Sequence, residues 1–330
     1  MASNNLAGKS IEPNTRIPFK MDSADLNSCS WSKYGGLSNE SRGLRSLKVL
    51  VLSLNNLTIL LTRTTAVYAN LQKFRVIGLG SCNLNDFLSF LHKQDQLVEL
   101  DLSSNKIAGQ IPEWLLNSST GSLKYLNLSY NHLSGFGQHF EVLPWTNLSI
   151  LDLRFNELQG KIPIPPLNYL LSNNHLTGEI SPQMCNLIDL SFLDLYNNNL
   201  SGVLPKCLGG TINSLIVLNL RNNKFHGRVP QFFSDNLGML DLSHNLLQGR
   251  IPRSLANCTR LQFLNLGNNQ ISDVFPSWLG TIPQLEVLIL HSNKLHGVIR
   301  EPKTDFEFSK LRIIDLSHNK FTGVIQSKYF

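Results

Sequence analysis

The sequence predicts a solenoid: an α/β repeat of about 12 coils, with a parallel concave β-sheet on one side and irregular or 3₁₀ return segments on the convex side. Three observations lead there. Leu and Asn are in joint excess, with 60 Leu and 35 Asn in 330 residues and only 16% charged residues, against about 25% charged in an ordinary domain. The frame L-x-x-L-x-L-x-x-N-x-[LI] recurs, so that LVELDLSSNKIAGQIP at residues 97–112 superimposes on LQFLNLGNNQISDVFP at 261–276. The Asn of that frame returns at Asn55, Cys82, Asn105, Asn131, Asn156, Asn174, Asn198, Asn223, Asn245, Asn269, Asn293 and Asn319, in steps of 22 to 27 residues apart from one step of 18. A period of this size is the signature of stacked repeats.

Each part of the frame has a physical role. The L-x-L core, such as Leu100 and Leu102, alternates with period 2 and forms a short strand with Leu inward. The chain then turns. The buried Asn uses its amide donors and its carbonyl on backbone groups that the turn leaves unpaired, so stacked Asn side chains form a ladder through the coils. Cys82 stands at one ladder position and lacks the amide, which predicts a weak rung. The following G-x-[IVL]-P, as at 109–112, 160–163, 202–205 and 249–252, supplies a left-handed bend at Gly and a start for the convex segment at Pro. Strands about 4.8 Å apart give a concave sheet roughly 55 Å along its arc. This is the pattern of a leucine-rich repeat.

The G-x-[IV]-P half of the repeat resembles the plant-specific form found in plant receptor kinases, receptor-like proteins and polygalacturonase inhibitors. The strings MCNLIDLSFLDLYNNNLSGVLPKCLGG, SLANCTRLQFLNLGNNQISDVFPSWLGTIPQLEVLILHSNKLHGVI and FSKLRIIDLSHNKFTGVI resemble plant receptor-like proteins of the disease-resistance type. The resemblance covers residues 44–330. It implies the ligand-binding ectodomain portion of a plant cell-surface receptor-like protein, non-catalytic, in immune or developmental signalling. It also implies a plasma-membrane or extracellular location, a peptide, protein or glycan ligand, and a co-receptor kinase as partner. Relatives carry a signal peptide, an island domain and a membrane span. No apolar leader and no run of 18 apolar residues is present in this sequence, and the chain reads as a fragment or truncated paralogue. Residues 1–43 read as a non-repetitive N-terminal segment, either a degraded cap at NSCSWSKYGG with Cys29 or, from MASNNLAGKSI, the tail of a decayed repeat. A soluble polygalacturonase-inhibitor-like protein and a truncated decoy or non-functional remnant are the alternative readings.

The five cysteines, Cys29, Cys82, Cys185, Cys207 and Cys258, form no C-x-x-C and give no zinc site. Cys185 lies eleven residues after Asn174, and Cys207 nine after Asn198. These offsets place both on the convex side of adjacent coils, as a disulfide or as two buried thiols. Cys258 reads as a core thiol. Seven N-x-[ST] sequons occur, at Asn39, Asn56, Asn117, Asn127, Asn147, Asn199 and Asn257. Asn117, Asn147 and Asn257 are the glycosylation candidates, whereas a glycan on Asn127 would obstruct the concave face. The net charge of +6 comes from dispersed residues and gives no nucleic-acid stripe.

No nucleophile elbow, metalloprotease, P-loop or kinase motif is present, so the chain is read as no enzyme, with no cofactor and no metal. Trp114 and Trp278 read as convex-side core, and His175, His226 and His296 as solvent-facing spacers. Asp101, Asp152, Asp194, Asp241 and Asp315 share one outward strand position. They read either as a carboxylate stripe for a cation or basic ligand, or as framework residues. What remains is a long curved binding surface. Its informative positions lie one and two residues before each ladder Asn, where most coils carry Ser, Asn or Gly. The exceptions are Tyr130, Arg154, Phe155, Tyr196, Arg221, His244, His291 and His318. Aromatic and Arg side chains offer large contact area and bidentate hydrogen bonding. Tyr130, Arg154, Phe155, Tyr196, Arg221 and His244 are therefore the ligand-binding candidates on the concave face.

Overall fold

The computed structural model describes residues 46–55, 72–118, 121–137, 141–164, 168–210, 212–232, 234–299 and 307–324. The expectations for residues 1–43, Cys29, Asn39 and Asn56 fall outside them.

Twelve three-residue strands, from Val49–Val51 to Ile313–Asp315, pair in sequence order into one parallel sheet. The middle residue of each strand points inward. In register, Leu193, Leu218, Leu240, Leu264 and Leu288 form a single buried file. The second Leu of each frame, Leu195, Leu220, Leu242 and Leu266, is equally buried, so each coil contributes its Leu pair to one continuous core.

The ladder closes each coil on the next. The Asn223 side-chain N–H₂ donates to Leu195 O (2.9 Å), Leu220 O (3.2 Å) and Arg221 O (3.3 Å), and its Oδ1 accepts from Leu200 N (3.0 Å). Asn131, Asn156, Asn174 and Asn245 repeat this set. Cys82 keeps the donor half alone. Its thiol reaches Leu52 O at 3.0 Å, the carbonyl of the preceding coil that an Asn would take, but sulfur supplies no matching carbonyl oxygen.

After the ladder the structure adds an element that the sequence reading does not contain. Six two- to five-residue strands, from Gln159–Gly160 to Gln270–Ile271, pair into a second parallel sheet along the side of the solenoid. The glycine of G-x-[IVL]-P lies in these strands at φ +84° to +86° in Gly160, Gly202 and Gly249, a conformation other residues adopt only at a cost. At position 273 an Asp replaces this Gly. Asp273 is buried, and its carboxylate accepts from Ile251 N and Val274 N. The second sheet ends just before it. The convex side is otherwise short 3₁₀ turns at Ser89–Lys93, Pro182–Asn186, Arg253–Asn257 and Ser277–Thr281, with brief helices at Glu113–Ser118 and Cys207–Gly210.

The 18-residue step is also visible. Its strand, Asn168–Leu170, carries Tyr169 where its neighbours carry Leu. Tyr169 is fully buried and its hydroxyl has no hydrogen-bond partner; burial raises its pKa far above the ordinary phenol value. An orphaned buried hydroxyl is destabilising. Tyr169→Phe is therefore expected to raise stability by about 1 kcal/mol, read as a higher urea midpoint at unchanged m value.

Candidate functional site

The residues two and one before the ladder Asn sit on the corner between concave strand and turn. The second of these has positive φ in every described coil, +53° at Phe155 and +55° at Tyr130. Asn fills it at 173, 197, 222 and 268, which suits a residue tolerant of the left-handed region. Two aromatic residues at such positions are outliers.

Tyr130 and Phe155 come together. Their rings stack with centroids 4.3 Å apart and planes 13° from parallel, and they remain 50% and 40% exposed. Arg154 lies beside them but is held within its own coil. Its Nε and Nη2 donate to both oxygens of Asp152, at 3.0 and 2.7 Å. That hydrogen-bonded pair pushes the guanidinium pKa further up. Arg154 is thus a braced cation next to the stacked rings.

Tyr196 and Arg221 form a second cluster, on the far side of the short coil. The Arg221 guanidinium carbon lies 5.6 Å from the Tyr196 ring centroid, and its Nε is buried with no hydrogen-bond partner. From the short coil along the second cluster runs a set of side-chain amides that the sequence reading did not isolate. Asn197 Nδ2 donates to Asn173 Oδ1 (2.8 Å), and Asn222 Nδ2 to Asn197 Oδ1 (2.5 Å). This outer ladder borders a groove of about 550 Å³ lined by Asn173, His175, Asn197 and Asn199. It was legible as N-N-[HNK] in three successive coils. His244 lies on the coil next to Arg221. Its Nε2 is 3.1 Å from Asn268 Nδ2, which also lies 3.5 Å from His291 Nε2. Burial, with Arg221 nearby, lowers the His244 pKa.

The aspartate column has a framework role. In each member the carboxylate accepts from the backbone N–H two residues on: Asp101 from Ser103, Asp152 from Arg154, Asp194 from Tyr196, Asp241 from Ser243 and Asp315 from Ser317, at 2.9–3.2 Å. Asn127, Asn219 and Asn265 make the same bond in other coils, so the position needs an acceptor rather than a charge. Among the described residues no group of three or more His, Cys, Asp or Glu is placed to hold a metal.

This equivalence carries a pH prediction. Burial raises the Asp241 pKa above its ordinary 3.8. The folded state therefore binds this proton more tightly than the unfolded chain does. The resulting stability is present below about pH 4 and is lost as pH rises through the raised value. Asp241→Asn keeps the turn bond, as Asn219 and Asn265 do, and removes the buried charge. The variant should be more stable than the parent at pH 7, with the gap closing toward pH 3, in paired thermal melts.

On the convex side, Cys185 and Cys207 are joined by a disulfide with Cα atoms 5.3 Å apart. Cys82 and Cys258 are free and buried. Trp114 packs against Phe87 and His92, and Trp278 against the Arg253 guanidinium at 4.9 Å. Asn117, Asn147 and Asn257 are all exposed, away from the concave strands. The Asn147 side chain donates to Gly121 O of the neighbouring coil.

Two leucine-rich-repeat family models match the chain, one at residues 213–271 and 260–321 and the other at 96–118, 122–141 and 189–211, together just over half of it. The chain belongs to the leucine-rich-repeat family. Among curated proteins, receptor-like protein 35 of Arabidopsis thaliana is 39% identical over 260 residues, which is 78% of this leucine-rich-repeat chain and 26% of that relative. The chain thus spans about a quarter of the relative's length. The resemblance to plant receptor-like proteins is borne out. Among solved structures, a TDR receptor superimposes with TM-score 0.74 at 29% identity, covering 87% of this chain and 50% of its own. A plant peptide hormone receptor, RGFR1 in complex with RGF2, does so with TM-score 0.69 at 28% identity, covering 87% and 50%. Among the described residues, no helix of this leucine-rich-repeat chain is long and apolar enough to cross a membrane.

Proposed function

We propose that the chain is part of the ligand-binding ectodomain of a plant cell-surface receptor-like protein, and that it takes its ligand on the concave face. It is non-catalytic. It serves immune or developmental signalling at the outer face of the plasma membrane, and a partner kinase carries the signal onward. The observation that carries this reading is the exposed, stacked Tyr130–Phe155 pair. Each ring sits at a backbone position that costs a non-Gly residue about 1–2 kcal/mol, where most other described coils carry Ser or Asn, and each leaves much of its apolar surface in water. Strain and exposure together favour a contact surface over a packing role. The braced Arg154 adds a fixed cation beside it. The likeness to a receptor solved with a peptide hormone supports a peptide or protein ligand.

The test is site-specific photo-crosslinking in plant tissue, with a photoreactive phenylalanine at position 155 or at convex, exposed position 206. Capture of a secreted ligand from position 155 alone is expected, with an apparent affinity loss of about 1–2 kcal/mol in Phe155→Ala. Equal capture from both positions, or none from 155, overturns the concave assignment.

A further inference from the structure

The convex side holds a groove that plays no part in the concave-face reading. It has a volume of about 400 Å³ and is lined by His92, Glu113, Trp114 and Asn117. The last three belong to the short helix Glu113–Ser118. His92 comes from the 3₁₀ turn Ser89–Lys93 of the preceding coil. The groove therefore crosses the outer ends of two coils, the first of which carries Cys82 in place of a ladder Asn.

Trp114 is its apolar wall. The ring is half-buried. It meets Phe87 edge-to-face with centroids 6.2 Å apart, and the tilted His92 ring at 5.7 Å. These contacts fix the indole and leave part of it in water. A sugar acceptor completes the wall: Asn117 is exposed and opens the sequon Asn117-Ser118-Ser119. Trp114 and Asn117 are three residues apart on one helix, so their side chains share a face. Helical side chains lean back over the preceding turn. A group attached to Asn117 Nδ2 is thereby directed over the Trp114 ring.

The other described sequons lack this arrangement. Asn147 Nδ2 donates to Gly121 O, and Trp145, two residues earlier, is fully buried. On the coil after Asn257, the Trp278 ring is covered by the Arg253 guanidinium. Asn127 lies in a concave strand with its Oδ1 bound by the Ser129 backbone N–H and hydroxyl. Asn199 borders the groove of side-chain amides, which has no Trp, Tyr or Phe in its lining.

The chemistry of the groove suits an N-acetylhexosamine. The C–H groups on one face of a pyranose carry partial positive charge and stack on the negative face of an aromatic ring. Glu113 Oε1 lies 3.4 Å from Asn117 Nδ2. Glycosylation replaces one of the two amide hydrogens, and the other still faces this carboxylate. The acetamido N–H and the hydroxyls of the sugar are further donors to it.

We propose that Asn117 carries an N-linked glycan whose first N-acetylglucosamine seats in this groove on the Trp114 ring, tying the outer ends of two coils together. In the transfer, the amide nitrogen bonds to the anomeric carbon of a lipid-diphosphate-linked oligosaccharide. The bond from that carbon to the diphosphate oxygen breaks, the lipid diphosphate departs and one amide proton is released. The proposal rests on the ectodomain reading above in one respect, that the chain enters the secretory route.

For the test, the full chain is secreted from plant cells behind an added leader, and its glycans are trimmed to the proximal N-acetylglucosamine. Peptide mass mapping is expected to find Asn117 occupied. Amide hydrogen exchange across residues 113–118 should be several-fold slower than in Asn117→Gln or Ser119→Ala, which lose the sugar and keep the indole. In a Trp114→Leu background, adding Asn117→Gln should no longer change that exchange. In the parent, the acetyl methyl of this sugar should resonate upfield of those at other occupied sites, a ring-current shift that needs no Trp114 variant. An empty Asn117, equal exchange with and without its sugar, an unshifted methyl, or protection that survives Trp114→Leu overturns the proposal. None of these touches the concave receptor site, which is read by capture from position 155. Loss of that capture with the sugar seated on Trp114 has the reverse meaning.

Discussion

Asn223→Ala is expected to cost about 4 kcal/mol of stability. The side chain is buried and joins its own coil to the one before, through three carbonyls and the Leu200 N–H. Alanine leaves all four groups without this partner in a site too tight for easy solvation, and each unsatisfied buried group costs about 1–3 kcal/mol before relaxation. The position matters as much as the chemistry. Solenoid coils contact only their neighbours, and cooperativity runs from coil to coil. A lesion in the middle of the row should therefore split the array. Urea unfolding of the variant should show a lower midpoint and a broadened or two-step transition. A single transition at the parent midpoint would show that the ladder contributes far less than its hydrogen bonds suggest. The same change at Cys82, which already lacks the carbonyl half of the rung, should cost much less.

The second large effect is expected from Cys185 and Cys207. Their bond spans 22 residues, and the chain-entropy model gives about 3 kcal/mol for a loop of that size. Replacing both by Ala should remove that amount, and the same loss should follow a reductant added to the parent. The other two described thiols provide an internal control. Cys258 is fully buried, and burial pushes its pKa up to about 11; Cys82 is buried and shifted in the same direction. Neither should react with a thiol reagent in the native state. Labelling at Cys185 and Cys207 only after reduction, with a melting temperature lowered by several degrees, is the expected result. An unchanged melting temperature after complete reduction would contradict it.

The fold was legible because one residue type dominates each role, with Tyr169 and Cys82 as exceptions. Leu193 or Leu218 can only be the inward file, and Asn198 or Asn223 can only be the ladder, so a spacing read from the sequence places every strand. The second sheet was less legible. Its strands contain a glycine at positive φ, as in Asn199–Val203 around Gly202, and glycine-centred segments lack the alternation that marks a strand. The site was legible in part. Tyr130 and Phe155 stood out as large residues in a small-residue position, and their adjacency followed from the repeat. Two facts depend on side-chain rotamers and not on spacing: Arg154 is committed to Asp152, whereas Arg221 keeps a buried, unpartnered nitrogen. The aspartate column was legible as one of two alternatives, and the framework alternative holds: Asn127, Asn219 and Asn265 perform the same turn bond.

The short coil between Asn156 and Asn174 has a mechanical meaning. A curved stack behaves as an arch, in which each block is wider on its outer course than on its inner one. The inner width is fixed by strand pairing, and the outer width by whatever packs on the convex side. Among the described residues of this coil no helix or 3₁₀ turn occupies the outer course between Gln159–Gly160 and Asn168–Leu170. With the shortest step of the repeat, 18 residues, this block is expected to be narrow on its outer course and the arch to flatten there. The Tyr130–Phe155 pair stands on one side of it and the Tyr196–Arg221 pair on the other. A ligand long enough to touch both meets a flattened span rather than a tight bend, so restoring a full-length outer segment there should tilt the two pairs toward each other and penalise a stiff ligand more than a flexible one.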